Sequence, residues 1–527
     1  MKHCPCLFLF LFLLLLCGCA KSSGEIEMTE APGRKTTEWE KPEETGFVPE
    51  EETEKTEEKI LPEEGSESVE SEKTAVLSER AASFLTGMTM EEKASQVLMV
   101  RPELLTGYDL VTASSDATEE ALSRLPVGGF YYLARNFEER KQSRRMLSRA
   151  LGFSLKGTGL PLFFCTDPEG KEVLDAFAME GEISDLDYLN KLGYFAEPKL
   201  LPFSSAFSSP EDAAARIREG SDMVILTEGD PAAARDTILQ AVETGALSGE
   251  RLDQAVGRIL TEKFRWMDRT IRHLGPERDG ELLYFADAFN LWYTMNPDPD
   301  LPKNVYPREL FKREGDAFVG ENADYRFRRG VDVSHHSGEI DWEQVKESGI
   351  DFAILRLGYR GYGEDGVLNP DRQFQTNYEK ATAAGLDVGA YVFSQAVNET
   401  EAREEAALVL SELDGRPLSL PVVFDPESIK DANARTDSVS REQFTDNTIA
   451  FCEMIREAGY DVMIYSNMIW EAEMLDLSRL EGIPVWYADY EPYPQSPYAF
   501  TFWQYSESGH VPGIDGDVDL NLWILPQ

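Results

Sequence analysis

Two carboxylates, Asp425 and Glu427, directly follow the apolar run 421–424. On an extended backbone alternate side chains share a face, so these two acids project together from a strand end. A run that is apolar at every position is typical of a strand buried on both faces in a parallel α/β sheet. A protonated carboxyl beside an ionised carboxylate suits the cleavage of glycosidic bonds. The pair alone is weak evidence, because most such triplets are solvated residues.

The sequence around this pair predicts a compact α/β barrel over residues 329–527. Candidate strands are 330–334, 352–358, 388–394, 421–425, 462–465, 484–487, 500–505 and 518–520. Helical patterns such as 402–413 and 443–458 fall between most of the earlier strands. Strands with interleaved helices describe an irregular (β/α)8-type barrel, in which functional side chains collect at the carboxyl ends of the strands.

Polar and aromatic side chains fall at these predicted strand ends. Asp332 lies near the end of the first strand and Asp519 lies on the eighth, so that with Asp425 and Glu427 they put four carboxylates on one rim. We assign to the same rim the substrate-binding candidates Tyr391, Tyr465, Tyr487, Asp489, Trp503, Gln504 and Asn521. Packing ionised acids together raises the proton affinity of one of them. Glu427 can therefore stay protonated near neutral pH while a neighbour stays charged.

Several motifs of this region resemble glycoside hydrolase family 25 and occur in that family's order. They lie at 332–338 with 340–342, at 421–427, at 486–490, at 503–505 and at 516–521. The family comprises lysozymes that cleave the β-1,4 bond between N-acetylmuramic acid and N-acetylglucosamine. The resemblance implies that Glu427 is the general acid, and that Asp425 positions the 2-acetamido group or stabilises positive charge at C1. It also implies that Asp332 and Asp519 complete an acidic floor and that rim aromatics stack on sugar faces.

One segment departs from this family. Its second strand commonly carries Lys-x-Thr-Glu-Gly, whereas this chain has Arg356-Leu357-Gly358-Tyr359. Because the Glu is absent, we assign no catalytic role there. His335 and His336 have no evident third ligand, so we expect no metal at that loop and no cofactor elsewhere.

Residues 75–266 show a second, smaller α/β pattern, and residues 267–328 form an aromatic-rich connector that predicts a short hairpin or small subdomain. The smaller pattern resembles the start and end of the glycoside hydrolase family 3 barrel, with Asp167 and Glu169 where that family holds the sugar. The middle of that barrel is too short here, and none of the chain's five histidines falls inside the region. We expect a truncated relative without hydrolytic chemistry, which binds wall sugar, holds a partner or acts as a spacer.

The amino terminus has the pattern of an export signal. The apolar run 7–16 is too short to span a bilayer but suits a signal peptide. Residues 16–21 resemble a bacterial lipoprotein processing site, which implies a signal over 1–19 and a lipid on Cys19; an ordinary cleaved signal is the alternative. Residues 20–74 are rich in Glu, Lys, Thr, Ser and Pro, which predicts a disordered acidic tether. Such a chain reaches on the order of 40 Å.

The overall charge excludes some partners. With 96 acids against 51 Lys and Arg, the net charge of -45 argues against nucleic acid and against electrostatic adsorption to anionic surfaces. Two functions remain. The first is a muramidase that is anchored through Cys19 at the outer face of the bacterial membrane and acts on peptidoglycan glycan strands. The second is a non-hydrolytic, glycan-binding surface lipoprotein. The complete set of four acids favours the first.

Overall fold

The structure is a computed structural model, and the described residues form one compact unit. It describes residues 78–179, 194–195, 201–288, 290–314, 317–318, 324–429 and 434–527. The predicted signal peptide, the lipidation site Cys19 and the tether 20–74 lie outside these residues. None of the described helices is both long and apolar enough to cross a bilayer. The two cysteines of the described residues, Cys165 and Cys452, are buried and free.

Helices are distributed over the whole described chain. They are α1 (Glu79–Gly87), α2 (Met90–Gln96), α3 (Pro102–Thr106), α4 (Asp116–Arg124), α5 (Arg140–Thr158), α6 (Pro168–Met179), α7 (Ala213–Arg218), α8 (Pro231–Glu243), α9 (Gly249–Thr270), α10 (Trp342–Glu347), α11 (Phe374–Ala383), α12 (Glu399–Leu413) and α13 (Arg441–Glu457), with a π-helical turn at Trp470–Met474.

Strands make four sheets. In the first part of the chain they are β1 (Leu98–Val100), β2 (Gly129–Tyr132), β3 (Phe163–Thr166), β4 (Tyr194–Phe195), β5 (Ser205–Phe207), β6 (Met223–Leu226), β7 (Arg272–His273), β8 (Leu283–Ala286), β9 (Trp292–Met295), β10 (Arg313–Glu314) and β11 (Ala317–Phe318). The later strands are β12 (Tyr325–Val333), β13 (Phe352–Arg360), β14 (Leu368–Pro370), β15 (Asp387–Ser394), β16 (Val422–Pro426), β17 (Val462–Asn467), β18 (Val485–Ala488), β19 (Phe502–Gly509) and β20 (Val518–Pro526).

The smaller α/β unit, which we call the middle domain, is built on a parallel sheet. Its strand order is β4-β3-β2-β1-β6-β5, and its four central strands are buried at every position. Strands buried on both faces need helices on both sides, which explains their continuous apolar runs. Among the described residues β4 and β5 pair with one neighbour each, so this sheet is open there rather than closed into a barrel.

The carboxy-terminal domain contains a closed barrel of eight strands. β12, β13 and β15–β20 form it, and pairing of β12 with β13 closes the circle. All eight predicted strands are present. The prediction of a (β/α)8-type barrel is wrong for its last part, because β20 runs antiparallel to both β19 and β12. Only residues 510–517 separate β19 from β20, and such a connection is too short for the crossover that parallel strands require.

Alternation along each strand separates the inside of the barrel from its outside. Interior positions hold a cluster that includes Phe352, Ile354, Val423, Met463, Trp486 and Phe502. Their sequence neighbours, such as Val422 and Phe424 on β16, pack outward with the helices. Because successive residues of a strand face opposite sides, this division fixes which polar residues enter the barrel at its rim.

The connector attaches the middle domain to the barrel. The predicted hairpin is present as β8 and β9, with β7 beside it, and α9 runs to Thr270, beyond the domain boundary predicted at 266. Trp292 of the hairpin donates its indole N–H to the Ser148 hydroxyl of α5 at 2.8 Å. On the barrel side, the Gln495 amide exchanges hydrogen bonds with the Ala286 backbone at 3.1 and 3.2 Å.

Two glycines of α5 give opposite predictions for the same substitution. A Cβ at Gly152 would overlap the Trp292 ring, whereas nothing lies within 4 Å of a Cβ at Gly157. Gly152→Ala should therefore cost about 1–3 kcal/mol through overpacking. Gly157→Ala should stabilise the helix by about 0.5–1 kcal/mol. Urea unfolding of both variants tests this, and equal effects would show that the contact between α5 and the hairpin is loose.

Candidate active site

Four carboxyls converge at one mouth of the barrel. Asp425 lies two residues after the interior residue Val423, so its side chain points into the barrel, and Glu427 follows just beyond β16. Asp332 near the end of β12 pairs across the ladder with Asp519 at the start of β20. Because β20 is antiparallel, its first residues lie at the same rim as the carboxyl ends of the parallel strands.

Asp332 and Asp519 share a hydrogen bond between their carboxyls. Burial raises the pKa of Asp519 to about 9, and the neighbouring Asp332 adds to this shift. Asp332 also accepts hydrogen bonds from the amides of Gln504 at 2.9 Å and Asn521 at 2.8 Å. Burial raises its pKa, and these donors oppose that rise. The amide donors therefore favour the ionised form of Asp332, whereas the neighbouring Asp332 favours the protonated form of Asp519.

Buried and half-buried side chains orient the amides of Gln504 and Asn521. Tyr465 and Tyr490 donate their hydroxyls to the Gln504 carbonyl oxygen at 2.8 and 3.0 Å. Trp486 donates its indole N–H to the Asn521 carbonyl oxygen at 2.8 Å. Since each amide oxygen is occupied as an acceptor, each amide nitrogen must point at Asp332. Gln504 and Asn521, predicted to bind substrate, are almost fully buried and instead position Asp332.

Glu427 and Asp425 both favour their protonated forms. Burial raises the pKa of Glu427 to about 7, and the charge of Asp332 adds to this effect. Burial, followed by the charges of Glu427 and Asp332, raises the pKa of Asp425 well above its usual range. The Asp425 Oδ1 atom is buried and has no hydrogen-bond partner in the protein. A ligand group that donates a hydrogen bond to this buried oxygen would satisfy it.

Arg356 is a residue of the site that sequence reasoning missed. It lies two residues after the interior residue Ile354, and its guanidinium opposes the rise in the pKa of Asp425. Asp371 holds it through an ion pair of 2.9 Å and also accepts the backbone N–H of His335 at 3.1 Å. Counting alternate positions along β13 would have placed this cation inside the barrel. His335 thus belongs to the hydrogen-bond network of Arg356 and Asp371, and the described residues contain no cluster suited to a metal ion.

A cleft of about 970 Å³ opens above Glu427, which is the acid of this cluster that lines it. Its barrel side includes Glu427, Tyr465 and Tyr490. Its opposite side is formed by the start of α5 in the middle domain, with residues 138–141, 144 and 145. Both domains therefore build the cleft, which the sequence did not predict.

Three predicted substrate-binding residues have other roles. Trp503 is fully buried on the outer side of the barrel, against the rings of Phe311 and Phe318 at 5.0 and 4.9 Å. Tyr487 is likewise fully buried, and its hydroxyl donates to Asp489 at 2.9 Å. These two rings cannot stack on a sugar, so that prediction is wrong. Asp489 is buried and also accepts backbone N–H groups of its own loop, so it orders that loop.

Tyr391 is the last of the predicted substrate-binding residues. It is only half-buried and lies on β15 opposite Arg356 of β13. Burial, followed by the charge of Asp332, raises its pKa well above its usual range. Its hydroxyl therefore stays protonated and can serve as a neutral hydrogen-bond donor beside the acids.

The raised pKa of Glu427 predicts a pH-dependent change in stability. A carboxyl whose pKa rises from 4.5 to about 7 on folding stabilises the protein fully below about 4.5 and loses that contribution as the pH passes 7. Glu427→Gln cannot ionise, so at pH 8 it should be more stable than wild type by on the order of 3 kcal/mol. Near pH 4 the two proteins should have equal stability.

Urea unfolding at both pH values measures this difference. The exposed Glu457 on α13 supplies the matched control, because Glu457→Gln should show no pH-dependent gain. A constant difference between wild type and Glu427→Gln at both pH values would contradict the raised pKa.

Known proteins match the barrel. Residues 331–514 match the model of glycosyl hydrolases family 25. An autolytic lysozyme of Clostridium acetobutylicum is 27% identical over 194 residues, which are 37% of this chain and 55% of that protein. Lysozyme M1 of Streptomyces globisporus is 31% identical over 203 residues, 37% of this chain and 66% of that protein. The match thus spans less than two thirds of either relative.

Solved structures match the same region. A bacterial lysozyme from Streptomyces coelicolor is 29% identical with a TM-score of 0.31, and the match covers 37% of this chain and 91% of that one. A family 25 glycosyl hydrolase from Bacillus anthracis is 24% identical with a TM-score of 0.32, covering 37% and 88%. The family model and the two lysozyme relatives thus show that the barrel of this chain is similar to glycosyl hydrolases family 25 over residues 331–514.

Proposed function

We propose that this protein is a peptidoglycan hydrolase, an N-acetylmuramidase that cleaves the β-1,4 bond between N-acetylmuramic acid and N-acetylglucosamine. The observation that carries the proposal is the convergence of Asp332, Asp425, Glu427 and Asp519 below a cleft of about 970 Å³. A retired, purely sugar-binding barrel has no need to keep four acids that are buried or half-buried, since each costs stability when its charge is desolvated.

We assign each acid a task. Glu427, protonated below about pH 7, donates its proton to the glycosidic oxygen as the bond to the leaving sugar breaks. Asp425 offers its unpaired oxygen to the 2-acetamido group or to the positive charge that develops at C1. Asp332, held by two amides, keeps a fixed negative charge that sustains the proton on Glu427. Tyr391 can donate a hydrogen bond to the sugar, and Tyr465, whose hydroxyl is engaged by Gln504, offers a contact surface in the cleft.

Product analysis tests the proposal. Purified peptidoglycan is treated with the protein, the new reducing ends are reduced with borohydride, and the fragments are identified by mass spectrometry. A muramidase yields ends in reduced N-acetylmuramic acid. Ends in reduced N-acetylglucosamine would refute the assigned bond. Binding without any new ends would favour the non-hydrolytic glycan-binding alternative.

We further propose that the protein is a lipoprotein at the outer face of the bacterial membrane. The lipobox-like sequence ending in Cys19 and the acidic segment 20–74 support this. A tether raises the local concentration of the enzyme at the wall, which offsets electrostatic repulsion between an acidic chain and an anionic wall. Metabolic labelling with a fatty acid tests the anchor. Label that is absent, or that persists in Cys19→Ala, would contradict it.

For the middle domain we propose a truncated relative of glycoside hydrolase family 3 that no longer hydrolyses. Asp167, expected at the sugar position of that family, accepts the Gly170 N–H at 2.7 Å and so caps the start of α6. No histidine falls within 75–266 to support a catalytic loop. Turnover of a chromogenic N-acetylglucosaminide by Glu427→Gln protein would overturn this proposal.

A further inference from the structure

The Glu427 carboxyl receives no hydrogen bond from the described residues, and its side chain lines the cleft. A general acid must nevertheless point at one oxygen of the substrate, since a displacement of about 1 Å can cost 10²-fold in rate. With no partner on the carboxyl itself, the direction of this side chain depends on how the backbone of Glu427 is held.

The ladder between β15 and β16 holds the backbone of Glu427 on one side only. β16 ends at Pro426, which pairs with Ser394 of β15. Proline has no N–H and cannot donate to the neighbouring strand. Each residue has two soft dihedral angles, one toward each of its peptide planes. The plane before Glu427 belongs to the end of β16, and the plane after it needs a contact of its own.

Gln395, directly after β15, supplies this contact. Its amide nitrogen donates to the Glu427 carbonyl oxygen at 2.6 Å and to the Ser394 carbonyl oxygen at 2.9 Å. Its amide oxygen accepts the Thr436 hydroxyl at 3.2 Å. Both carbonyls can only accept, so the amide nitrogen must face them. Gln395 therefore fixes the peptide plane that follows Glu427.

Gln395 is itself held from outside the barrel. Its side chain is fully buried, and its backbone carbonyl accepts the Arg435 guanidinium at 2.9 Å. Arg435 also pairs with both carboxylate oxygens of Glu401 on α12, at 2.7 and 2.8 Å. Asn447 of α13 donates to the carbonyl oxygen of the next residue, Ala396, at 2.9 Å. Two outer helices thus anchor the end of β15, and one amide connects this anchor to the backbone of the acid.

We propose that Gln395 is a positioning residue for the general acid, and that its amide holds the backbone of Glu427 so that the carboxyl faces the glycosidic oxygen. This deepens the proposed function and rests on it. Without the amide, the peptide plane after Glu427 can rotate, and the carboxyl then turns between the cleft and solvent. The acid spends less time aligned with the bond, so the chemical step slows while the substrate still binds.

Removal of the donor in the full chain tests this inference. Gln395→Met keeps the length of the side chain but cannot donate, so kcat for release of reducing ends at pH 5.5 should fall about 10–100-fold, with KM within about twofold. In protein that already carries Glu427→Gln, the same replacement should cost less than about threefold, because no acid remains to be positioned. The matched control is Gln375→Met on α11, which should change neither constant. The Gln375 amide also donates to a backbone carbonyl, that of Glu412 on α12 at 2.8 Å.

A second readout does not depend on turnover. In Gln395→Met, titration of the Glu427 carboxyl by carbon NMR should give a pKa below about 7 and nearer to the ordinary value of 4.5, because a released carboxyl turns toward water. If Gln395→Met does not fold, Thr436→Val takes its place. It removes only the hydroxyl that orients the amide, and it should lower kcat and the Glu427 pKa in the same direction.

Three results would overturn the inference. They are an equal loss of kcat with and without Glu427→Gln, a loss that appears in KM alone, and a Glu427 pKa that is the same in wild type and variant. Absence of new reducing ends with the unsubstituted protein would refute the proposed function instead. The titration would then still decide whether Gln395 positions Glu427, so the two failures are distinguishable.

Discussion

Glu427→Gln should lower kcat for peptidoglycan hydrolysis by about 10³-fold and leave KM within about twofold. Gln keeps the size and hydrogen bonding of a protonated Glu but cannot give up a proton to the departing sugar oxygen. Because the wild-type carboxyl is already neutral below about pH 7, the substitution removes proton transfer without changing the ground-state charge. Release of reducing ends at pH 5.5, measured over a range of substrate concentrations, gives both constants.

The matched control for this variant is Glu457→Gln, on the exposed face of α13, which should retain full activity. If Glu427→Gln keeps more than about a tenth of the wild-type kcat, another group supplies the proton and the assignment of the general acid is wrong.

Asp425→Asn should reduce kcat and kcat/KM together, by about 10²–10³-fold. Its Oδ1 atom has no partner in the protein, so the carboxyl interacts chiefly with the substrate and most strongly when positive charge develops at C1. Asn preserves the shape of the side chain but cannot ionise, so it cannot supply a negative charge when positive charge develops at C1. Initial rates on purified peptidoglycan at pH 5.5 provide the comparison.

Asp519→Asn distinguishes a charge effect from a general disturbance of the acidic cluster. The pKa of Asp519 is raised to about 9, so this side chain is already neutral and donates to Asp332. Asn retains a donor at that position, and the loss should stay below about tenfold. Equal losses for Asp425→Asn and Asp519→Asn would contradict the assignment of the substrate contact to Asp425 and of the support of Asp332 to Asp519.

Local sequence patterns predicted most of the barrel because its strands are short, apolar and separated by helical or turn-rich segments. The position of Asp425 and Glu427 followed from the buried run at 421–424. The direction of β20 did not follow, since strand patterns are the same for parallel and antiparallel strands. Its antiparallel course nonetheless brings Asp519 to the predicted rim.

The errors among the predicted aromatics have a simple physical cause. Trp503 and Gln504 are adjacent on β19 and must face opposite sides of the barrel, as must Trp486 and Tyr487 on β18. Gln504 and Trp486 face inward, so their neighbours cannot. The alternation of side chains along β13 also predicts that Arg356 faces inward. The comparison with family motifs did not identify this residue.

The contribution of α5 to the cleft could not be predicted from its own segment. The pattern of residues 140–145 is typical of the polar start of an amphipathic helix. Their position above Glu427 depends on packing of α5 against a hairpin that lies more than a hundred residues later in the chain. The position of α5 is set by contacts between distant segments, such as that of Trp292 with Ser148. Local sequence patterns do not predict such contacts.

The most direct test of the account is a pH titration of the Glu427 carboxyl by carbon NMR, in protein labelled at the glutamate side-chain carboxyl carbon and with Glu427→Gln to assign the signal. We predict an apparent pKa of about 7 for this carboxyl, so that it is protonated at the pH of 5.5 used for the activity measurements. A pKa near 4.5, the ordinary value for glutamate, would mean that Glu427 is ionised there, and it would contradict its role as the acid.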